Sequence, residues 1–290
     1  MTKTFNLAHG VTISTCRGFL GNLTALGIEA PAELTNILAS WDDLRNFTNA
    51  PDTTADEIKA HAAAGALTEK KLAELAKRGA DEAARRQYVS QLTGNEVAIA
   101  SRFHNALAEG AADTILDQLR PIVEKAAEGI AQAKSVINGD EDPTTFLDRA
   151  DAETLKVWQG LPTHTGRLDQ CELLVAEFTP QGKFPLIESA AGAGFINTFA
   201  LFFVPVETGK LYEASTFRVV HGLGPRGSRW FRAGVPITLN TVAEARERLR
   251  SYLEQSWDAA ITPGRSGRMS ETEGFVPDVH VNPYKVADEG

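Results

Sequence analysis

Apolar residues change their spacing once along this chain, near residue 180. Before that point they recur at helical intervals. After it they come in short aromatic and β-branched runs punctuated by glycine and proline. The segment PAELTNILASWDDLRNF, opening at Pro31, places Leu34, Ile37, Leu38, Trp41 and Leu44 on one face, and proline suits a first helical turn. Residues 1–50 therefore read as an extended start and two short helices. Thr54 followed by Glu57 has the spacing of a capping box and predicts a helix start. From there to Ile137 the chain is built of Ala, Glu, Lys, Leu, Gln and Arg, all strong helix formers.

The longest regularity is the series Phe103, Leu107, Ala111, Ile115, Leu119, Ile122, Ala126, Ile130, Ala133 and Ile137. Its mean step of about 3.8 residues is nearer an eleven-residue than a seven-residue repeat, which predicts a straight helix or a mild right-handed supercoil. A stripe on an otherwise polar helix can be covered only by another helix. The pattern leaves two ways open: a hairpin within the chain, 68–92 against 97–120, or self-association through Phe103, Leu107, Ile115, Leu119, Ile122, Ile130 and Ile137. Arg120–Pro121 predicts a kink or boundary, because proline lacks a backbone donor and crowds the preceding turn. After the acidic turn NGDEDP, further helices are predicted over 144–150 and from Asp151 through Phe178, with a break near Leu161–Pro162.

Beyond Thr179 the runs 184–188, 195–204, 211–221 and 229–239 read as strands joined by short glycine-containing turns, which predicts an antiparallel meander. Thr241 and Glu244 form a second capping box, opening a helix whose face Val242, Ala245, Leu249, Tyr252, Leu253 and Trp257 would pack on the sheet. The predicted fold class is thus α+β: a mainly helical N-terminal part with long helices, hairpin or coiled-coil-like, then a small antiparallel β-meander capped by a helix. The predicted domains are 1–180 (helical), 181–258 (β plus helix) and 259–290 (an extended or disordered tail, rich in proline and poor in apolar anchors).

Length and composition agree with two ordinary domains, since 290 residues with 43% hydrophobic and 23% charged residues can bury a real core. The net charge of −9 is uneven: residues 1–180 hold 17 basic against 26 acidic residues, and 181–290 hold 12 of each. An acidic helical half argues against wrapping nucleic acid and in favour of a protein partner there. No stretch approaches the roughly 18 apolar residues of a membrane span, and the segment MTKTFNLAHGVTIS lacks a signal-like apolar run. A cytoplasmic protein without membrane partners is expected. Cys16 and Cys171, far apart, support neither a disulfide framework nor a zinc site.

Candidate chemistry is sparse. Gly222-Leu-Gly224-Pro-Arg-Gly227 satisfies the dinucleotide-binding glycine spacing, yet SRWFRAGVP after it does not read as a helix N-terminus, so a turn is the expected role. Around it the chain is locally basic, with Lys210, Arg218, Arg226, Arg229 and Arg232 opposed by Glu213 alone. Arg218, Arg226, Arg229 and Arg232 beside Trp230 could contact an anion or an acidic partner, or could simply keep a hairpin edge charged. His9, His61, His104, His164, His221 and His280 form no metal-ligand spacing, and no nucleophile elbow or phosphate-binding loop occurs. No catalytic residue, cofactor or metal is assigned. Asp140 does not open a calcium loop, since its sixth position is Thr145 rather than glycine.

The segments LRPIVEKAAEGIAQA, FLDRADAETLKVWQG and GRLDQCELLVAEF, within 68–178, resemble proteins of unknown function from actinobacterial phages and prophages in a virion-assembly context. That resemblance implies a structural or assembly role in the cytoplasm or in a virion, and the apolar stripe adds the expectation of a non-enzymatic protein that self-associates through its helical region. The other readings are a polyanion- or nucleic-acid-binding module using 218–232, and, further off, an enzyme of unknown reaction.

Overall fold

The structure, a computed structural model, describes residues 7–51, 53–92, 95–139, 141–188, 201–205, 228–234, 236–260, 267–270, 274–277 and 281–285. It is mainly helical. The helices are α1 (Ile13–Ala25), α2 (Ala32–Asn49), α3 (Thr54–Ala63), α4 (Glu69–Leu92), α5 (Asn95–Ala106), a π turn (Leu107–Ala111), α6 (Ala112–Val136), α7 (Pro143–Arg149), α8 (Ala152–Ala176), α9 (Arg229–Arg232) and α10 (Val242–Ala260). Strand pairing among the described residues is limited to β1 (Gly267–Ser270) against β2 (Gly274–Pro277), antiparallel, with Arg268 opposite Val276.

The predicted β-meander is therefore overturned. Of its four strands, 211–221 and much of 195–204 lie outside the described residues, and the remainder is not strand. Phe184, Leu186 and Ile187 are buried, but they fold back on the end of α8: the Phe184 amide donates to Glu177 O and the Leu186 amide to Phe178 O. Residues 229–232 form a helical turn, with the Trp230 amide donating to the Ser228 hydroxyl. Residues 236–240 run extended beside 201–205, where the amides of Thr238 and Asn240 donate to Phe203 O and Phe202 O without building a sheet. A short apolar run has the same composition whether it ends as a strand or as irregular cover over helices, which is why its periodicity misleads.

The chain divides into two compact units, His9–Gly21 with Ala30–Ala111, and Met1–Ala8 with Asn22–Glu29 and Ala112–Gly290. Residue 180 lies inside the second of these. In the smaller unit α2 packs on α4 and α5, and α3 on α4. Leu34, Ile37, Leu38, Leu75, Ala100 and Phe103 form its core, with Phe19 edge-on to Phe103 at 6.1 Å between ring centres. Helix α3 starts at Thr54 as predicted, but no capping box forms: Thr53 precedes it without a side-chain cap, and its hydroxyl donates to the Glu57 carboxylate. Thr54 instead turns inward and donates to Glu82 at 2.7 Å, both side chains being buried.

In the larger unit α6 packs along α8. Ile115, Leu116, Leu119, Val123, Ala126, Ile130 and Ala133 on α6, with Leu161, Leu168, Cys171, Leu174 and Val175 on α8, are fully or nearly fully buried. At roughly 1.5–3 kcal/mol for each large aliphatic side chain taken from water, this contact dominates the unit. Neither proline ends its helix: α6 continues through Pro121, so the boundary alternative there is overturned, and α8 continues through Pro162. The chain breaks instead at Gly110, whose φ of 133° is closed to ordinary L-residues. Each proline costs one ladder bond, and burial of the flanking apolar face outweighs it.

The capping box of α10 is present in both directions, the Thr241 amide donating to Glu244 Oε2 and the Glu244 amide to Thr241 Oγ1. Asp113 accepts from the Val242 amide at the same helix start, where negative charge is favoured. Residues 281–285, within the predicted tail, lie on α10: Asn282 Nδ2 donates to Glu254 O and Asp258 Oδ1, and Tyr284 meets Trp257 edge-on at 6.3 Å.

The turn after α8 offers a direct check of this packing. A Cβ at Gly182 would collide with the carbonyl oxygens of Ala176 and Glu177, which belong to backbone and cannot swing aside. Gly182→Ala should lower unfolding stability by about 1–3 kcal/mol in denaturant titration followed by circular dichroism, whereas Gly166→Ala, inside α8 with nothing near its Cβ position, should raise it by up to about 1 kcal/mol.

Candidate functional site

The structure splits the predicted self-association stripe. Phe103 and Leu107 precede Gly110 and sit in the core of the smaller unit, while Ile115, Leu119, Ile130 and Ile137 are buried in the larger one. Ile122 is half-buried, and Val123 takes the covered position in its place. The intramolecular partner of α6 is α8, not a hairpin of 68–92 against 97–120.

Of the basic set, Arg218 and Arg226 lie outside the described residues. Arg229 is turned onto α8, pairing with Glu172 and, at 3.2 Å, with Asp169. Its guanidinium also lies 5.1 Å from the centre of the Trp230 ring. Trp230 is fully buried, its Nε1 donates to Asp169 Oδ1 at 2.6 Å, and its ring meets Phe203 edge-on at 5.2 Å. Burial pulls the Arg229 guanidinium below its ordinary value, and Asp169 opposes that shift. The arginine and tryptophan assigned to a partner thus hold α9 on α8, while Arg232 is exposed. Spacing could not show this, because Asp169 and Glu172 are some sixty residues away in sequence.

Two other places hold unspent chemistry. The first is α4, a helix of 24 residues, about 36 Å long at 1.5 Å per residue. Among its described side chains Leu75 and Glu82 are buried, while Leu72, Ala73, Ala76, Ala80, Ala83, Ala84 and Tyr88 are exposed. The second is an open cleft of about 530 Å³ at the end of α6, lined by Lys134, Ser135, Asn138, Gly139, Arg149 and Phe231 among others. Lys134 Nζ donates to Ala233 O there. Sequence reasoning passed over Lys134, since a single lysine in a helix carries no signal of its own.

Both cysteines are buried thiols. Burial pushes Cys16 up to about 12 and Cys171 up to about 11. No group of three or more His, Cys, Asp or Glu among the described residues could hold a metal, and no described helix is long and apolar enough to cross a membrane. Comparison with protein families, with curated proteins and with solved structures finds no match.

Two outcomes follow from this geometry. Arg229→Ala should leave Glu172 and Asp169 without their cation and cost about 1–3 kcal/mol, reduced from the fully buried case because Asp169 is half exposed; Trp230 emission should shift to the red in the native variant. The thiols bind their protons more tightly folded than unfolded, so they contribute full stability below the unfolded pKa. That contribution is lost as pH rises from about 9 towards about 12. The thermal midpoint should fall across that window, and a Cys16→Ala/Cys171→Ala variant should show a shallower fall.

Proposed function

We propose that the chain is a non-enzymatic assembly or structural protein of the virion-associated kind implied by the phage resemblance, and that it self-associates through its helical region. The observation that carries this reading is the outward face of α4. Ala73, Ala76, Ala80 and Ala84 share that face and are exposed, and small side chains allow two helix axes to approach closely. A second copy of the chain fits this face. Lys77 and Asp81 stand two residues on either side of position 79. An antiparallel pair centred there sets Lys77 of each copy against Asp81 of the other, the self-complementarity that a two-fold contact needs.

This moves the association from the stripe named in the sequence to a different helix, because that stripe is already covered within the chain. The polyanion reading is less supported, since Arg229 and Trp230 are engaged by Asp169 and Glu172.

Size-exclusion chromatography with light scattering tests the proposal. The wild-type chain should elute at a discrete multiple of 31.3 kDa without an excess of absorbance at 260 nm. Ala80→Glu should return it to the mass of one chain with its helical circular dichroism intact. A wild-type protein that stays monomeric at tens of micromolar rules the reading out, and an Ala80→Glu variant that keeps the wild-type mass rules out this face.

A further inference from the structure

The cleft at the end of α6 has the makings of a ligand site independent of self-association. Lys134 lies in the last turn of α6, and its Nζ donates to Ala233 O at 2.5 Å, a part-buried bond that leaves two ammonium protons for other acceptors. The residue as a whole is exposed, while the bond from its Nζ to Ala233 O is part-buried. The negative end of a helix amounts to about half an elementary charge spread over several carbonyls, so it does not cancel the ammonium. No carboxylate among the described residues pairs with Lys134, and burial alone pulls its ammonium below the ordinary value. A partly covered ammonium with no carboxylate partner can form charge-assisted hydrogen bonds with an anion.

The remaining lining fits an anion. Arg149 is held by Glu141, which takes Nε and Nη2, and its guanidinium lies 5.5 Å from the Phe146 ring centre. A guanidinium has five donors, so this fork leaves others for a ligand. The adjoining acids are largely committed: Glu141 to Arg149, and Asp142 to the Thr144 and Thr145 amides at the start of α7. Asp140 lies outside the described residues. Phe231, 5% exposed, supplies an apolar wall.

We propose that this cleft binds a small molecule bearing an oxyanion, its phosphate or carboxylate group held by the Lys134 ammonium and the remaining Arg149 donors, and its body resting on Phe231. The cleft, about 530 Å³ and open to solvent, has room for such a molecule.

Calorimetric titration of the full chain with inorganic phosphate, phenyl phosphate and benzoate, at constant ionic strength, tests this and separates the two oxyanions. Saturable binding with a Kd at or below about 1 mM is expected for at least one probe. Tighter binding of phenyl phosphate assigns a phosphoryl ligand, and tighter binding of benzoate a carboxylate. Lys134→Met should weaken binding at least tenfold and Arg149→Gln several-fold. In the wild type, acetylation of Lys134 by acetic anhydride, read by peptide mass spectrometry, should be suppressed by the bound probe while that of exposed Lys125 is not. That readout still decides the matter if Lys134→Met does not fold. Absence of saturable binding by all three probes, undiminished binding in Lys134→Met, or Lys134 labelling that ignores the probe would overturn the proposal.

Discussion

Burial of one face of α6 against α8 is the contact on which the larger unit depends. Both helices carry a proline in their interior, so each is one backbone bond short of a full ladder, and neither would be stable as an isolated helix interrupted in that way. Packed together they hide Ile115, Leu119, Val123 and Ile130 on one side and Leu161, Leu168, Cys171 and Val175 on the other. The free energy of that burial exceeds the cost of two missing bonds, which is why the prolines sit within continuous helices while the break falls at Gly110. The same contact fixes the flanks: the turn after α8 folds Phe184 and Leu186 inward, and α9 is clamped by Asp169 and Glu172.

Charge is used in this protein mostly to fasten its own segments. Asp113 receives the first amide of α10, Arg120 donates to Leu239 O, and Arg229 joins α9 to α8. Each of these ties a segment of the C-terminal part to a helix from the middle of the chain. A locally basic sequence therefore need not be a basic surface, and the arginine-rich region illustrates this: a cation that meets two carboxylates on folding presents little field to a partner. Lys134 is the contrasting case, because folding partly removes its ammonium from water without bringing a carboxylate to it.

The smaller unit rests on a different balance. Its α4 is mostly alanine and charged residues, with Leu75 and Glu82 facing inward and a Thr54–Glu82 hydrogen bond beneath. Such a helix gains stability from propensity more than from burial. Its outward alanines are available for a second helix, and close packing there would add the apolar burial that α4 lacks on its own.

Local signals in the sequence did determine local structure. Thr241 with Glu244 opened α10 as read, Asp151 capped α8, and the positions Leu34, Ile37 and Leu38 were the buried face of α2. Each depends on interactions within a few residues, and those are present in the chain whatever the fold. The partner of the apolar stripe, the fate of the runs at 184–188 and 229–239, and the role of Arg229 were decided by tertiary structure alone. Periodicity states that a face must be covered but not by what, a short apolar run is compatible with strand or irregular cover, and a charge finds its counter-ion sixty residues away only when the chain has folded.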